Sequence, residues 1–200
     1  MARRAIGRPL RISGNRDPDR GRFVHMKLIL CLFGAFLFAG CQKATAPLPT
    51  VPAVDLTKYA GTWYEVTRLP HSFQRDDSSA MAEYTLAPDG TVAVRNTEKR
   101  PDGTTKAVEG KATPVPGSSN GRLRVRFQGL ASLAPVPEEG NYWIIGLEAD
   151  YSVAVVGTPD RKFLWILARV PRLSPEALAR WTKHARDLGF PTEKLIAPRP

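Results

Sequence analysis

Few side chains in this 200-residue chain have the type and spacing for covalent or metal chemistry. Two histidines lie beyond residue 41, His71 and His184, and neither has a second ligand at the short spacing of a metal site. Gly117-Ser118-Ser119-Asn120-Gly121 has the letters of a Gly-x-Ser-x-Gly motif but lies between two strand-like runs with no helix after it, so it is not the strand–turn–helix elbow that activates a serine nucleophile. His71 is better read as a solvated loop residue than as a general base. No metal and no cofactor are expected, and no catalytic residue is assigned. The two cysteines, Cys31 and Cys41, sit at the start and just past the end of an apolar run, so their chemistry depends on what that run is. The chain is otherwise rich in apolar and aromatic residues on short alternating segments, a pattern that serves enclosure rather than bond making.

The net charge of +10 invites a nucleic-acid reading, but its distribution argues against one. Residues 1–40 hold seven arginines and Lys27 against two aspartates, which leaves only +4 for the other 160 residues. Nucleic-acid binding needs a basic face on the folded domain. From Met26 the text reads MKLILCLFGAFLFAGC: one lysine, then twelve apolar residues at 28–39. A membrane-spanning helix needs about 20 such residues, whereas a signal-peptide core needs fewer. Residues 26–40 are therefore read as a signal peptide. Phe38-Ala39-Gly40 before Cys41 resembles the lipobox of bacterial lipoproteins, with phenylalanine in place of the more usual leucine. The resemblance implies acylation of Cys41 as a lipid anchor, and Gln42 after it favours sorting to the outer membrane. Residues 1–25 precede a complete signal and are expected to be a mis-assigned leader or disordered. With Cys31 removed and Cys41 acylated, no disulfide is expected. Residues 42–54, QKATAPLPTVPAV, read as a proline- and alanine-rich tether that joins the anchor to a domain over 55–200.

The elements of that domain follow from alternation and turns. Strand-like runs are expected at 62–69, 80–87, 91–98, 104–113, 121–128, 141–148, 151–157 and 162–169. Pro88-Asp89-Gly90 and Pro101-Asp102-Gly103 are turn tripeptides, proline presetting φ and glycine accepting its positive value. Eight strands joined by short turns predict an all-β, antiparallel up-and-down barrel. In GRLRVRF, Leu123, Val125 and Phe127 share the inner face, while Arg122, Arg124 and Arg126 face water. Parity likewise turns Ala82, Tyr84, Leu86, Val92, Val94 and Asn96 inward. Ser174 and Pro175 start one helix, and Leu178, Trp181, Ala185 and Leu188 form its apolar stripe. The outer face of FLWILA, Leu164 and Ile166, is its expected seat, and residues 193–196 are expected to add a short final strand.

Three phrases in fixed order carry a resemblance: Gly61-Thr62-Trp63, Asp150-Tyr151, and Trp165 to Arg169. They are similar to the signatures of lipocalins, and GTWYEV, GTPDR and LWILAR resemble the bacterial outer-membrane, apolipoprotein D-like branch. The resemblance implies that Trp63 lies across the barrel floor beneath Arg169, and that Gly61 lets the entering chain pass closely. These three residues are structural. It also implies a cavity lined by Tyr84, Val94, Asn96, Leu123, Val125, Phe127, Trp143, Phe163, Trp165 and Leu167. Strand six is apolar on both sides, so the choice of Trp143 as its inward residue rests on the resemblance alone. Glu65 shares the parity of Trp63 and is expected to hydrogen-bond a tyrosine. The loops 70–79, 99–103, 128–140 and 157–161 fall at the open end, and the tether enters at the closed end.

The function these readings imply is a lipid-anchored carrier. It would store or transport a fatty acid or lysophospholipid at the periplasmic face of the outer membrane, with no nucleic-acid partner. A lipid-modifying enzyme on the same scaffold is the alternative. A homodimer is left open.

Overall fold

The computed structural model describes residues 46–129 and 135–197. Asp55 opens the domain as a helix cap, its carboxylate accepting from the backbone of Thr57 and Lys58 at 2.9 and 3.4 Å. The single turn it nucleates, α1 (Leu56–Tyr59), buries Leu56 and Tyr59 and delivers the chain to the first strand. Among the described residues eight strands follow: β1 (Gly61–Arg68), β2 (Ser79–Leu86), β3 (Val92–Lys99), β4 (Thr105–Pro114), β5 (Arg122–Phe127), β6 (Tyr142–Leu147), β7 (Val153–Gly157) and β8 (Leu164–Ala168). Each pairs antiparallel with its neighbour and β8 closes on β1, an up-and-down barrel without a free edge. All eight expected runs are strands, with ends displaced by at most two residues.

The barrel has an inner and an outer apolar set because its strands alternate. Trp63, Ala82, Tyr84, Val94, Leu123, Val125, Ile144, Val156 and Leu167 form the inner cluster. Ile145, Val153, Val155, Leu164, Ile166 and Ala168 form the outer one, covered by α2 (Pro175–Asp187). The helix stripe of Leu178, Trp181, Ala185 and Leu188 packs on that outer cluster, with Leu164 and Ile166 beneath it as expected. Glycine at position 146 is required by this contact, since a Cβ there would stand 2.6 Å from the Trp181 ring. The expected final strand is instead a 3-10 turn at Thr192–Lys194 and one antiparallel bridge between Ile196 and Arg68.

Two bulges break strict alternation. One lies between Glu65 and Thr67 on β1, the other between Ile144 and Gly146 on β6. An extra residue changes facing, so Glu65 and Arg68 both turn inward, as do Ile144 and Leu147. The β5–β6 seam is short, with two register pairs. Above it the side chain of Asn141 stands in for a strand, accepting from Val125 N at 2.7 Å and donating to Val125 O at 3.0 Å.

Residues 46–54 do not hang free as the tether reading expects. They pack on the barrel as a strap, Leu48 with the outer cluster and Val51 and Val54 with the inner one. Arg161, in the open-end loop between β7 and β8, donates to the Ala46 carbonyl at 2.7 Å. Val51 N donates to Ile144 O at 2.9 Å, and Val54 N to Ser119 O, in a closed-end turn, at 3.0 Å. Leu48 and Val54 are buried. Leu48, Val51 and Val54 are three residues apart, so an extended proline-rich chain with three residues per turn presents all of them to the barrel.

Candidate functional site

The closed end is built around two side chains far apart in sequence. Trp63 is fully buried, and its indole donates to the Tyr59 carbonyl at 2.8 Å. The Arg169 guanidinium carbon lies 3.9 Å from the centre of the Trp63 ring, a cation–π contact worth about 1–2 kcal/mol when shielded from water. Arg169 also donates to the carbonyls of Lys58, Ala60, Thr62, Tyr59 and Tyr151, at 2.7 to 3.3 Å. It thus gathers the helix exit, the first strand and the β6–β7 turn onto one cation. Gly61 has φ of 97°, and a Cβ there would meet Arg169 Nη1 at 3.3 Å. Only glycine takes that conformation at so little cost.

Above the floor the lumen begins with three phenols. The Tyr142 hydroxyl bonds that of Tyr59 at 2.7 Å and that of Tyr84 at 3.1 Å. Burial pushes all three hydroxyls above the ordinary tyrosine range, Tyr84 to about 12, so they remain neutral donors and acceptors. Tyr142 and Tyr59 were absent from the sequence-derived site. Only the sharing of one hydroxyl by two strands and a helix turn reveals them.

Of the expected lining residues, Tyr84, Val94, Leu123, Val125 and Leu167 are buried in the inner cluster. Phe127 and Trp165 pack against it and are half-buried. Asn96, inward by its register with Ala82 and Val108, is half-buried, and its Oδ1 is buried without a hydrogen-bond partner. Phe163 lies at the mouth, stacked on Trp165 at 6.0 Å. Trp143 is corrected: it belongs to the outer cluster. Its indole donates to Gly140 O at 3.0 Å, with the Arg122 guanidinium 5.2 Å from the ring centre. The outer face of β6 is apolar because α2 and the strap cover it, so its pattern carries no alternation. The phenol of Tyr142, which finds two partners inside, takes the inward place.

Near the mouth two ions are buried. Glu65 and Arg68 are 5% and 1% exposed, and Arg68 Nε lies 3.3 Å from Glu65 Oε1. Arg68 also donates to the carbonyls of Leu69 and Arg75, at 3.1 and 2.8 Å, so it pins the 69–78 loop over the mouth. Glu65 accepts from Gln74 at 3.0 Å, not from a tyrosine as expected, because the loop folds back to it. Desolvation raises the Glu65 pKa to about 7 against the pull of Arg68. His71 stacks on Phe73 at 3.7 Å and leans on Trp165 at 5.5 Å. Neither ring nitrogen has a hydrogen-bond partner, and burial, with Arg68 nearby, pushes its pKa down to about 4. Phe73 is 62% exposed. His184 serves packing: Nε2 bonds Ile145 O at 2.8 Å beneath the helix.

Two surface concavities flank this axis. One, of about 460 Å³, lies outside the floor between Lys58, Asp150, Tyr151 and Arg169, and its polar groups are spent on the closure. The other, of about 480 Å³, lies at the rim beside His71, Gln74 and Asp76. Among the described residues no cluster of histidine, cysteine or carboxylate side chains is placed to hold a metal ion, and no helix is long and apolar enough to cross a membrane. Cys41, the signal segment, and Leu130 and Leu133 of the 128–140 loop lie outside the described residues.

Residues 54–200 match the family model described as a lipocalin-like domain. The chain belongs to the lipocalin family. It is 35% identical over 175 residues to the outer membrane lipoprotein Blc of Vibrio cholerae, covering 86% of this chain and 97% of that one. The Blc protein of Escherichia coli is likewise 35% identical, over 86% of this chain and 94% of the relative. Bovine apolipoprotein D is 34% identical over 74% of this lipocalin and 78% of its own length. Insecticyanin from the tobacco hornworm shares the fold at 18% identity, with a TM-score of 0.56 over 76% of this chain and 84% of that one.

Proposed function

We propose that this lipocalin binds a hydrophobic small molecule, a fatty acid or lysophospholipid, and stores or transports it in the cell envelope while anchored to the outer membrane through acylated Cys41. The observation that carries the binding is the gradient inside the barrel. Inward residues are sealed at the floor, where Trp63 is fully buried, and turn half-exposed toward the mouth at Asn96, Phe127 and Trp165. A wall of this composition takes an acyl chain from water at about 0.8 kcal/mol per methylene, less the cost of association. Micromolar affinity needs about 8 kcal/mol net, so partial filling is enough. The unpartnered Asn96 Oδ1 gives a bound polar group one acceptor to meet.

The anchoring and location rest on the lipobox and on the names of the relatives, which are outer membrane lipoproteins. An enzyme on this scaffold has less to stand on. His71, the one histidine at the mouth, is stacked among aromatic rings and held neutral, with no carboxylate bonded to its ring. Titration of the purified chain with a fluorescent fatty acid and with lysophospholipid tests the reading. Saturable binding is expected, and Val108→Trp, which fills the lumen opposite Asn96, is expected to weaken it at least tenfold. A wild-type chain that binds neither probe overturns the carrier reading. Turnover of either lipid that vanishes in His71→Ala would replace it with the enzyme.

A further inference from the structure

The three phenols above the floor have more protons than acceptors to take them. The Tyr142 hydroxyl lies 2.7 Å from that of Tyr59 and 3.1 Å from that of Tyr84, and the three have no other hydrogen-bond partner among the described residues. Three O–H groups bring three protons, and two contacts use two of them. If Tyr59 and Tyr84 both donate to Tyr142, the spare proton is that of Tyr142. If Tyr142 donates to one neighbour, that neighbour holds the spare proton. In every arrangement one buried O–H lacks an acceptor. Burial keeps all three hydroxyls protonated, so the surplus does not depend on pH near neutrality. It is also reachable. Tyr59 and Tyr84 are 2% and 8% exposed, but Tyr142 is only half-buried while it packs on the inner cluster. Inside a closed barrel, surface left open on an inward side chain is surface of the lumen.

We infer that the phenol triad is the deep polar end of the ligand site, and that the lumen takes an acyl chain whose leading end carries a neutral oxygen, a hydroxyl or a ketone. The inference rests on the carrier reading above and narrows its ligand class. The oxygen is neutral because one spare O–H cannot replace the hydration of a carboxylate, which accepts about four hydrogen bonds. An acid group therefore stays at the mouth. The oxygen is at the leading end because Val94, Leu123, Val125 and Leu167 of the inner wall offer it no partner. Tyr84 pairs with Val94, and Asn96 lies two residues further along β3 toward the mouth. The unpartnered atom of Asn96 is an acceptor, which a ketone cannot use. A site that bonds a ligand oxygen discriminates against the analogue lacking it, because its own buried group is then left unpaired.

The test titrates the purified chain by calorimetry with hexadecanoic acid, with its ω-hydroxy derivative, and with the derivative whose ketone stands beside the terminal methyl. Both oxygenated acids are expected to bind about three- to tenfold more tightly than hexadecanoic acid, the range of one net hydrogen bond. A variant combining Tyr59→Phe, Tyr84→Phe and Tyr142→Phe removes the whole network, so no hydroxyl is orphaned, and the packing of ring 59 on Trp63 and on ring 84 is kept. In it the order is expected to reverse, hexadecanoic acid binding about tenfold more tightly than either oxygenated acid, since the oxygen then enters an apolar pocket unpaired. Wild-type binding of hexadecanoic acid with no preference for the oxygenated acids overturns the subsite and leaves the carrier reading standing. Preference for the hydroxyl but not the ketone overturns the spare donor. Preference that persists in the triple variant overturns the triad as its source. Should that variant not fold, the ketone affinity of the wild-type chain decides alone. Failure of all three acids to bind overturns the carrier reading and this inference with it.

Discussion

The two ends of the barrel use buried cations in opposite ways. At the floor, Arg169 spends its donors on five carbonyls and its face on Trp63, and no buried charge is left to titrate there. At the mouth, Arg68 is buried more deeply yet faces Glu65, whose charge is opposed by desolvation, while His71 on the mouth loop and Asn96 on β3 keep unpartnered buried atoms. A saturated network rigidifies, whereas one with vacancies can respond to what enters. The polar groups of the floor are satisfied within the protein, and those of His71 and Asn96 are not.

Removing the seal has the largest expected effect. Trp63→Ala should cost about 3–5 kcal/mol, the usual range for emptying a buried aromatic site, read as a lower urea midpoint. A loss below about 1 kcal/mol would mean the floor is not the rigid end.

The mouth should instead reveal itself through pH. Glu65 titrates near 7 in the folded chain and near 4.5 when unfolded, so between those values the native state holds more protons. Its contribution to stability is fully present below about 4.5 and is lost as pH rises through 7. His71, pushed down to about 4, acts with the opposite sign between 4 and 6.5, weakened by its partial exposure to solvent. Measured by denaturation at pH 5 and pH 8, Glu65→Gln should therefore gain on wild type by on the order of 2 kcal/mol as pH rises. A constant difference across that range would show that the carboxylate is not held in a desolvated site.

Two neighbours on β6 sharpen the comparison of lumen with exterior. Tyr142→Phe leaves the phenols of Tyr59 and Tyr84 without their shared partner and should cost about 1–2 kcal/mol. Trp143→Ala should also destabilise the chain, but leave fatty acid affinity unchanged, because the indole lies outside the barrel. Loss of affinity in Trp143→Ala would restore it to the lining. The smallest effect is expected at the rim, where Phe73→Ser should alter stability by no more than about 0.5 kcal/mol. A larger loss would show that the aromatic cluster is part of the core.

Alternation made much of this legible. Leu123, Val125 and Phe127 against three arginines orient β5 without any structure, and the Ser174-Pro175 start with its apolar stripe locates the helix. Strand six was not legible, because both of its faces are covered and nothing polar marks the outside. Arg68 was missed for another reason. A bulge at residue 66 turns it inward, and no residue type in TWYEVTR announces that extra residue. The strap carried a signal that composition concealed: the spacing of Leu48, Val51 and Val54 fits a packed extended chain, while the prolines around them read as a linker.

By itself the sequence determined the eight strands, their antiparallel order and the helix, and its resemblance to lipocalins supplied the two residues that meet at the floor. Those follow from local periodicity, turn chemistry and three short signatures, each contained within a few residues. Tertiary structure alone decided which side of β6 faces the lumen, that Glu65 and Arg68 share a buried mouth, and that residues 46–54 lie along the barrel. Each of these depends on contacts between segments distant in the chain, where a bulge or a covering element changes a residue's surroundings without changing its neighbours in sequence.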